Sequence, residues 1–159
     1  MHPKIAEIKG FSAIGIRVRT NNAREATPNG LIGGQWQKFM QGNLLAKIPD
    51  RLDSDVLVLY TDYSSDKNSD YDYIIGASVN PSAKTPDGMV KASVPSGKYA
   101  MFTSEKGPVT QVTIGVWQKI WTYEDSGKGK RAYKTDYEIH DARSADPQNS
   151  QIDVYIGIK

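Results

Sequence analysis

The sequence contains no cysteine among its 159 residues, and it has only two histidines, His2 and His140. The missing cysteine excludes disulfide bonds and thiolate metal sites. With two histidines, one of them beside the N-terminus, a histidine-based metal centre is not expected. A Ser-His-Asp triad is not indicated either, because the internal histidine lies in a candidate strand next to acidic residues. We therefore expect neither a metal ion nor an organic cofactor.

Long apolar runs and strong charge of one sign are also missing. No stretch approaches the roughly 20 residues that a membrane-spanning helix needs, and the N-terminal residues lack the apolar core of a signal peptide. The formal net charge is +2, with acidic and basic residues interspersed. The short basic segment 128–131 is typical of a solvated loop. We expect a cytoplasmic protein that binds neither membranes nor nucleic acid directly.

Phenylalanine is scarce as well: the chain has three Phe against nine Tyr and three Trp. Tyrosine and tryptophan combine a flat apolar ring with a polar group, which suits a half-wet pocket for flat organic ligands. Ordinary aromatic residues on strands would explain the same composition equally well. The composition therefore suggests an aromatic pocket without deciding between these two interpretations.

Hydrophobic periodicity predicts seven strand segments and two helices. Alternating or continuous apolar residues predict strands at 5–19, 55–63, 71–79, 89–94, 98–103, 135–141 and 152–158. Apolar residues at three- and four-residue steps predict helices at 31–45 and 109–123. Segments 21–30, 80–88 and 124–134 are predicted loops. The second and third strands should form one hairpin, and the last two strands another.

An internal repeat organises these elements. Trp36-Gln37-Lys38 reappears as Trp117-Gln118-Lys119, a shift of 117 − 36 = 81, and the same shift relates three further pairs: Gly34 and Gly115, Asp72 and Asp153, and Gly76 and Gly157. The sequence therefore predicts an α+β fold with two strand–helix–strand–strand units, at about 1–80 and 88–159, related by a pseudo-twofold axis. We expect a curved antiparallel sheet, two helices and a ligand cleft at the seam.

The leading candidate for a functional residue is Glu138. Strand alternation puts Asp136, Glu138 and His140 on one face, and Tyr137 and Ile139 on the other. An acidic residue in mid-strand either faces water or faces a cavity, where it must find a positive partner or raise its pKa. We favour the second hypothesis, in which Glu138 is the anionic floor of an aromatic pocket for a cationic, lipophilic small molecule. A solvent-facing strand residue is the alternative.

Six segments carry a resemblance to a known family. In chain order they are VLYTDY at 58–63, DYIIG at 72–76, PSGKYAMF at 95–102, WQKIW at 117–121, YEI at 137–139 and IDVYIGI at 152–158. Together they resemble the GyrI-like, or AraC-type, effector-binding family, a ligand-sensing domain that is also fused to multidrug-responsive regulators of the AraC and MerR classes. The resemblance covers nearly all of residues 1–159 as one effector-binding domain. Two positions differ from the usual family pattern: Gly157 replaces a frequent proline, and His140 replaces an aromatic residue.

The resemblance implies a cleft walled by aromatic side chains, with the family's central carboxylate at Glu138. Trp117 and Trp121 lie four residues apart on the second helix and are expected to border the cleft, although both could be core residues. Tyr155 is expected beside Glu138 on the neighbouring strand, or on the surface. Tyr60 lies near the position of the first repeat that is equivalent to Glu138, so it is expected to face the seam.

Three functions fit the sequence, and we favour the first. It is a sensor or sequesterer of cationic or aromatic lipophilic molecules. Such a protein would need a protein partner to regulate transcription, because the two repeats leave no segment for a helix-turn-helix. The second, implied by some family members, is a hydrolase of strained electrophiles in which Glu138 activates water and Trp117 or Trp121 holds the substrate. The third is a gyrase-inhibitor-like protein-interaction module.

Overall fold

The computed structural model describes residues 3–127 and 129–159. Its strands are β1 Lys4–Ile8, β2 Phe11–Thr20, β3 Val56–Thr61, β4 Tyr71–Val79, β5 Val90–Val94, β6 Gly97–Thr103, β7 Arg131–His140 and β8 Asp153–Ile158. Its helices are α1 Asn22–Glu25, α2 Ile32–Gln41 and α3 Val109–Asp125, with short 3-10 turns at Leu44–Lys47 and Ala142–Ser144. The predicted α+β class is confirmed. His2 and Lys128, which figured in the sequence-based expectations, lie outside the described residues.

All eight strands form one antiparallel sheet in the order β1-β6-β8-β7-β3-β4-β2-β5. If each strand of the first half (β1 to β4) is exchanged with its counterpart in the second half (β5 to β8), the same order results when it is read from the opposite edge. The sheet therefore has the pseudo-twofold symmetry that the repeat predicts. The axis passes between β3 and β7, the two central strands. The outermost strands are swapped: β1 pairs with β6 of the second half, and β5 pairs with β2 of the first. Each half therefore completes the sheet of the other.

The sheet is strongly curved. Phe11 on β2 and Tyr137 on β7 are separated by β4 and β3, so on a flat sheet their backbones would lie at least about 14 Å apart. Their rings nevertheless meet edge to face, with centroids 5.5 Å apart. The face that bears these rings is therefore concave, and it encloses a core that includes Leu57, Leu59 and Ile74.

Helices α2 and α3 cover the opposite face of the sheet. Val112, Val116 and Ile120 recur at four-residue steps along α3 and are buried, with Val116 and Ile120 packed against Val154 and other residues of β6 and β8. Full burial of such side chains stabilises a fold by about 1.5–3 kcal/mol each. On α2, Phe39 packs on the first half of the sheet in the same way. The helices therefore sit above the strand face that carries Glu138.

Several predicted boundaries differ from those of the structure. The single strand predicted at 5–19 is two strands, because the chain turns at Lys9-Gly10 and sends β1 to the far edge of the sheet. The loop predicted at 21–30 contains α1, a third helix, whose first turn is capped when the Asn21 side chain accepts a hydrogen bond from the Arg24 amide at 2.7 Å. Strand β7 begins at Arg131, inside the loop predicted at 124–134.

No helix in the described part of the chain combines the length and the apolar character required to span a bilayer.

Candidate functional site

Glu138 lies on central strand β7, next to the pseudo-twofold axis. It pairs with Val58 of β3, and its side chain points to the face that the helices cover. Only 1% of the residue is exposed. The alternative of a solvent-facing strand glutamate is therefore excluded, and this carboxylate must be satisfied by protein groups.

Three side chains donate hydrogen bonds to Glu138. The Tyr60 hydroxyl and the Trp117 indole N–H donate to Oε2 at 2.6 and 2.8 Å. His140 Nε2 lies 2.8 Å from Oε1. Because a carboxylate can only accept, Nε2 carries the proton in this contact. A phenol, an indole and an imidazole thus surround the carboxylate.

These contacts keep Glu138 ionised despite its burial. Burial alone would raise the pKa of Glu138, but the hydrogen bond and charge of His140, together with the hydrogen bonds from Tyr60 and Trp117, lower that pKa below its ordinary value. Burial, reinforced by the negative charge of Glu138, raises the pKa of Tyr60 and of Tyr73 well above the usual range. The tyrosines therefore act as neutral hydrogen-bond donors around a charged glutamate.

A second buried carboxylate, Asp136, lies two residues away and is neutralised by a full positive charge. Its Oδ2 accepts hydrogen bonds from Arg131 Nη2 and the Tyr63 hydroxyl, both at 2.6 Å, and its Oδ1 accepts one from the Gly157 amide at 2.9 Å. Arg131 and Asp136 therefore form a buried ion pair. In the described part of the chain, Glu138 has no lysine or arginine partner of this kind.

A cavity of about 150 Å³ opens beside this cluster, between α3, the start of α2 and strand β3. Its wall includes five aromatic side chains: Tyr60, Tyr63, Tyr71, Trp117 and Trp121. The Glu138 carboxylate is not part of the wall, because it lies behind Tyr60 and Trp117, which both line the cavity and bind it. Pockets for small molecules usually measure about 300–1,000 Å³. Some side chains must therefore move before a bulky ligand can enter.

The fold is shared with known proteins at the level of a family. The family model of integron-associated effector-binding proteins, Cass2, matches residues 4–158. This chain belongs to that family. The resemblance to GyrI-like effector-binding domains is thereby confirmed. By the description of its family, the chain is an effector-binding protein.

Three similar proteins illustrate the range of this group. The integron cassette protein VCH_CASS2, from the mobile metagenome of Vibrio cholerae, is 34% identical, with a TM-score of 0.78 over 99% of this chain and 96% of that one. The putative transcriptional regulator protein YobU of Bacillus subtilis is 28% identical, covering 96% of this chain and 94% of YobU. SAV2435, solved bound to tetraphenylphosphonium, shares the fold with 15% identity and a TM-score of 0.76, over 100% and 94% of the two chains.

Three of the four aromatic residues expected at the site lie together in this effector-binding protein. Tyr60 and Trp117 contact Glu138, and the Trp121 ring lies 6.3 Å from that of Trp117 and lines the cavity. Trp117 is also part of the core of the second half, so it is at once a packing residue and part of the cavity wall.

The expected position of Tyr155 beside Glu138 was wrong. Residues that pair directly across neighbouring strands point to the same face, and β8 pairs Val154 with Glu138 but Tyr155 with Tyr137. Tyr155 therefore stacks on Tyr137 on the concave face, with ring centroids 4.7 Å apart and planes 7° apart. The sheet itself separates it from Glu138.

Two further aromatic residues belong to this cluster but were not among the predicted binding residues: His140, which contacts the carboxylate, and Trp36, which contacts His140. His140 shares the strand face of Glu138, so alternation already pointed to it. Trp36, whose ring centroid is 5.1 Å from that of His140, donates its indole N–H to the Tyr73 hydroxyl at 2.8 Å. Trp36 is the repeat counterpart of Trp117, and that relationship was the available signal. Arg131 lay in a predicted loop, where no pattern marked it.

Proposed function

We propose that this effector-binding protein binds cationic, lipophilic aromatic molecules in the cavity beside Glu138, and serves in the cytoplasm as a sensor or sequesterer of them. The observation that carries the proposal is the charge state of the buried cluster. Asp136 is neutralised by Arg131, whereas Glu138 is ionised and its partners are a phenol, an indole and an imidazole. In the described part of the chain, no lysine or arginine pairs with Glu138, so no permanently charged side chain cancels its negative charge as Arg131 cancels that of Asp136.

That charge favours a cation in the cavity because water is largely excluded from its surroundings. At 4 Å, two opposite unit charges attract by about 1 kcal/mol in water, but by about 4 kcal/mol at an effective dielectric constant near 20. Tyr60 and Trp117 line the cavity while their polar groups bind Glu138. A cation against these rings gains about 0.5–2 kcal/mol per ring from cation–π contact.

Entry of a bulky cation would displace the outer part of the cavity wall. Ile114 lines the cavity and is 53% exposed, and Trp121 is half-buried. Ile114 belongs to the solvent-facing side of α3 and is less constrained than Trp117, whose indole is bound to Glu138. We therefore expect the cavity to enlarge outward, with the Glu138 cluster unchanged.

Two relatives support this proposal. SAV2435 holds tetraphenylphosphonium, a cation with four phenyl groups, on the same fold. YobU, which matches this chain over almost its full length, is named a putative transcriptional regulator. If this protein regulates transcription, we propose that it does so together with a protein partner such as a DNA-binding regulator.

The low pKa of Glu138 also argues against use of this residue as a general base. A hydrolytic role would need that pKa raised toward neutrality. The donors around Glu138 lower it instead. These donors favour a role of Glu138 as a fixed negative charge over a role in proton transfer.

A matched pair of ligands tests the charge mechanism directly. Phenyltrimethylammonium and tert-butylbenzene have the same shape and differ in charge, so both are titrated against the wild type and Glu138→Gln, with tryptophan fluorescence as the readout. We expect the substitution to weaken binding of the cation by about tenfold or more, equivalent to 1.4 kcal/mol, and that of the neutral compound by less than about twofold. Equal losses for the two compounds would disprove the charge mechanism.

A further inference from the structure

Two residues that line the cavity each have a buried N–H group without a hydrogen-bond partner in the described part of the chain. They are the indole Nε1 of Trp121 and the Nε of Arg131. The indole N–H groups of Trp36 and Trp117 are both partnered, by Tyr73 and Glu138. Buried donors without an acceptor are rare and costly, so each one requires an explanation.

The surroundings of Arg131 explain why its Nε cannot find an acceptor by rotation. Nη2 is held by Asp136 at 2.6 Å, and the guanidinium carbon lies 4.3 Å from the centroid of the Tyr133 ring. Glu124 Oε1, a buried acceptor that also lacks a hydrogen-bond partner, lies 3.6 Å from Nη1 and forms a longer ion pair with Arg131. Because the head group is fixed by its ion pair and its ring contact, Nε remains an immobile donor.

Both donors flank the same aromatic residue. The Trp121 ring lies 6.3 Å from the ring of Trp117, and the Arg131 guanidinium carbon lies 5.8 Å from it. The N–H of Trp117 itself is bound to Glu138. A ligand seated on Trp117 would thus have the negative Glu138 at the N–H edge of the ring and two residues with unused N–H donors near it.

We propose that the effector carries a neutral hydrogen-bond acceptor, such as a carbonyl or ether oxygen, in addition to its positive charge, and that Trp121 Nε1 and Arg131 Nε bind this acceptor. The inference rests on the proposed cation site and narrows its ligand class. A carboxylate as the acceptor is disfavoured, because Arg131 is already paired with Asp136 and the charge of Glu138 would repel it. Trp121 and Arg131 are then the residues that determine specificity for the acceptor.

Two cations that differ at one group provide the test: 4-acetylphenyl- and 4-isopropylphenyl-trimethylammonium. The acetyl group has an acceptor oxygen where the isopropyl group has a methyl. We expect the wild type to bind the acetyl compound about fivefold to tenfold more tightly. Trp121→Phe keeps an aromatic ring without the N–H, so it should reduce this preference to less than about twofold and leave affinity for the isopropyl compound nearly unchanged.

Trp36→Phe is the matched control. It also removes an indole N–H, but this N–H already donates a hydrogen bond to the Tyr73 hydroxyl. It should preserve the ratio of the two affinities. In ¹⁵N-labelled wild type, the Trp121 indole proton should shift downfield with the acetyl compound and much less with the isopropyl compound, which tests the contact without any substitution.

Equal binding of the two cations by the wild type, or an unchanged preference in Trp121→Phe, would overturn this inference and leave the cation site intact. Failure of both cations to bind would instead overturn the proposed function, and this inference with it.

Discussion

The Tyr60 hydroxyl donates a hydrogen bond to Glu138 at 2.6 Å, and the two residues occupy equivalent positions in the two halves of the fold. Tyr60 pairs with Tyr73 on the neighbouring strand, and Glu138 pairs with Val154. These two partners are 154 − 73 = 81 residues apart, which is the shift of the repeat, so the residues that they pair with are equivalent. The residues at the axis have thus diverged into a neutral donor and a charged acceptor. Two carboxylates there would repel each other, and at least one would be protonated. A single negative charge is the arrangement that favours a monocation.

Substitution of His140 tests what keeps Glu138 ionised. In the wild type the lowered pKa of Glu138 contributes stability above the pKa of the unfolded state, and this contribution is lost as pH falls through the folded-state pKa. In His140→Phe, burial should dominate and raise that pKa. We therefore expect the variant to be less stable than the wild type at neutral pH, with the difference shrinking as pH falls below about 4, in urea unfolding at several pH values.

The same series in a Glu138→Gln background provides the control. Without an ionisable group at position 138, the pH dependence that comes from Glu138 should be absent, and only the part caused by removal of the His140 imidazole itself should remain. A pH dependence as large as in the parent background would assign the effect to His140 or another group and not to Glu138.

The two buried carboxylates should differ sharply in their effect on stability. Asp136→Asn removes the hydrogen-bonded counter-ion of the buried Arg131 and leaves only Glu124, whose Oε1 lies 3.6 Å from Nη1, so we expect a loss of about 3 kcal/mol or more in the free energy of unfolding. Glu138→Gln leaves no buried cation unpaired and retains an oxygen that accepts from Tyr60 and Trp117, so a loss of about 1–2 kcal/mol is expected. Urea denaturation compares them, and similar losses would contradict the distinction between a paired and an unpaired carboxylate.

Gly76 allows β4 and β2 to approach closely. A Cβ at this position would lie 1.9 Å from the Ile14 carbonyl oxygen and 2.7 Å from Gly15 Cα. Gly76→Ala should therefore destabilise the protein by about 3 kcal/mol or more, because backbone on the facing strand must shift.

Gly33→Ala is the matched control for that substitution. Gly33 lies in the first turn of α2, and its added Cβ would meet nothing within 4 Å. We expect it to stabilise the protein by about 0.5–1 kcal/mol through helix propensity. Thermal unfolding distinguishes the two variants, and a tolerated Gly76→Ala would contradict the strand geometry.

Tyr155 provides a test of which face of the sheet binds the ligand. Tyr155→Leu removes the stack on Tyr137, on the concave face, and should lower stability by about 1 kcal/mol. Affinity for phenyltrimethylammonium should change by less than about twofold, whereas Trp117→Phe, which removes a donor to Glu138, should alter it more. A large loss of affinity in Tyr155→Leu would mean that the ligand binds on the concave face.

The repeat and the strand alternation predicted much of this protein, because both are local properties of the chain. The 81-residue shift anticipated the symmetric strand order, and alternation put Asp136, Glu138 and His140 on one face. The swap of β1 and β5 between the halves was not foreseen, because an edge strand carries the same pattern wherever it pairs.

By itself, the sequence determined the α+β class, the duplication and the strand face of Glu138, since side-chain direction along a strand follows from backbone geometry alone. Only the tertiary structure decided which residues meet that carboxylate. Tyr60 is 78 residues from Glu138 in the chain, and the pairing of β7 with β8 put Tyr155 on the other face. Strand register depends on packing summed over the whole sheet, so no local pattern specifies these contacts.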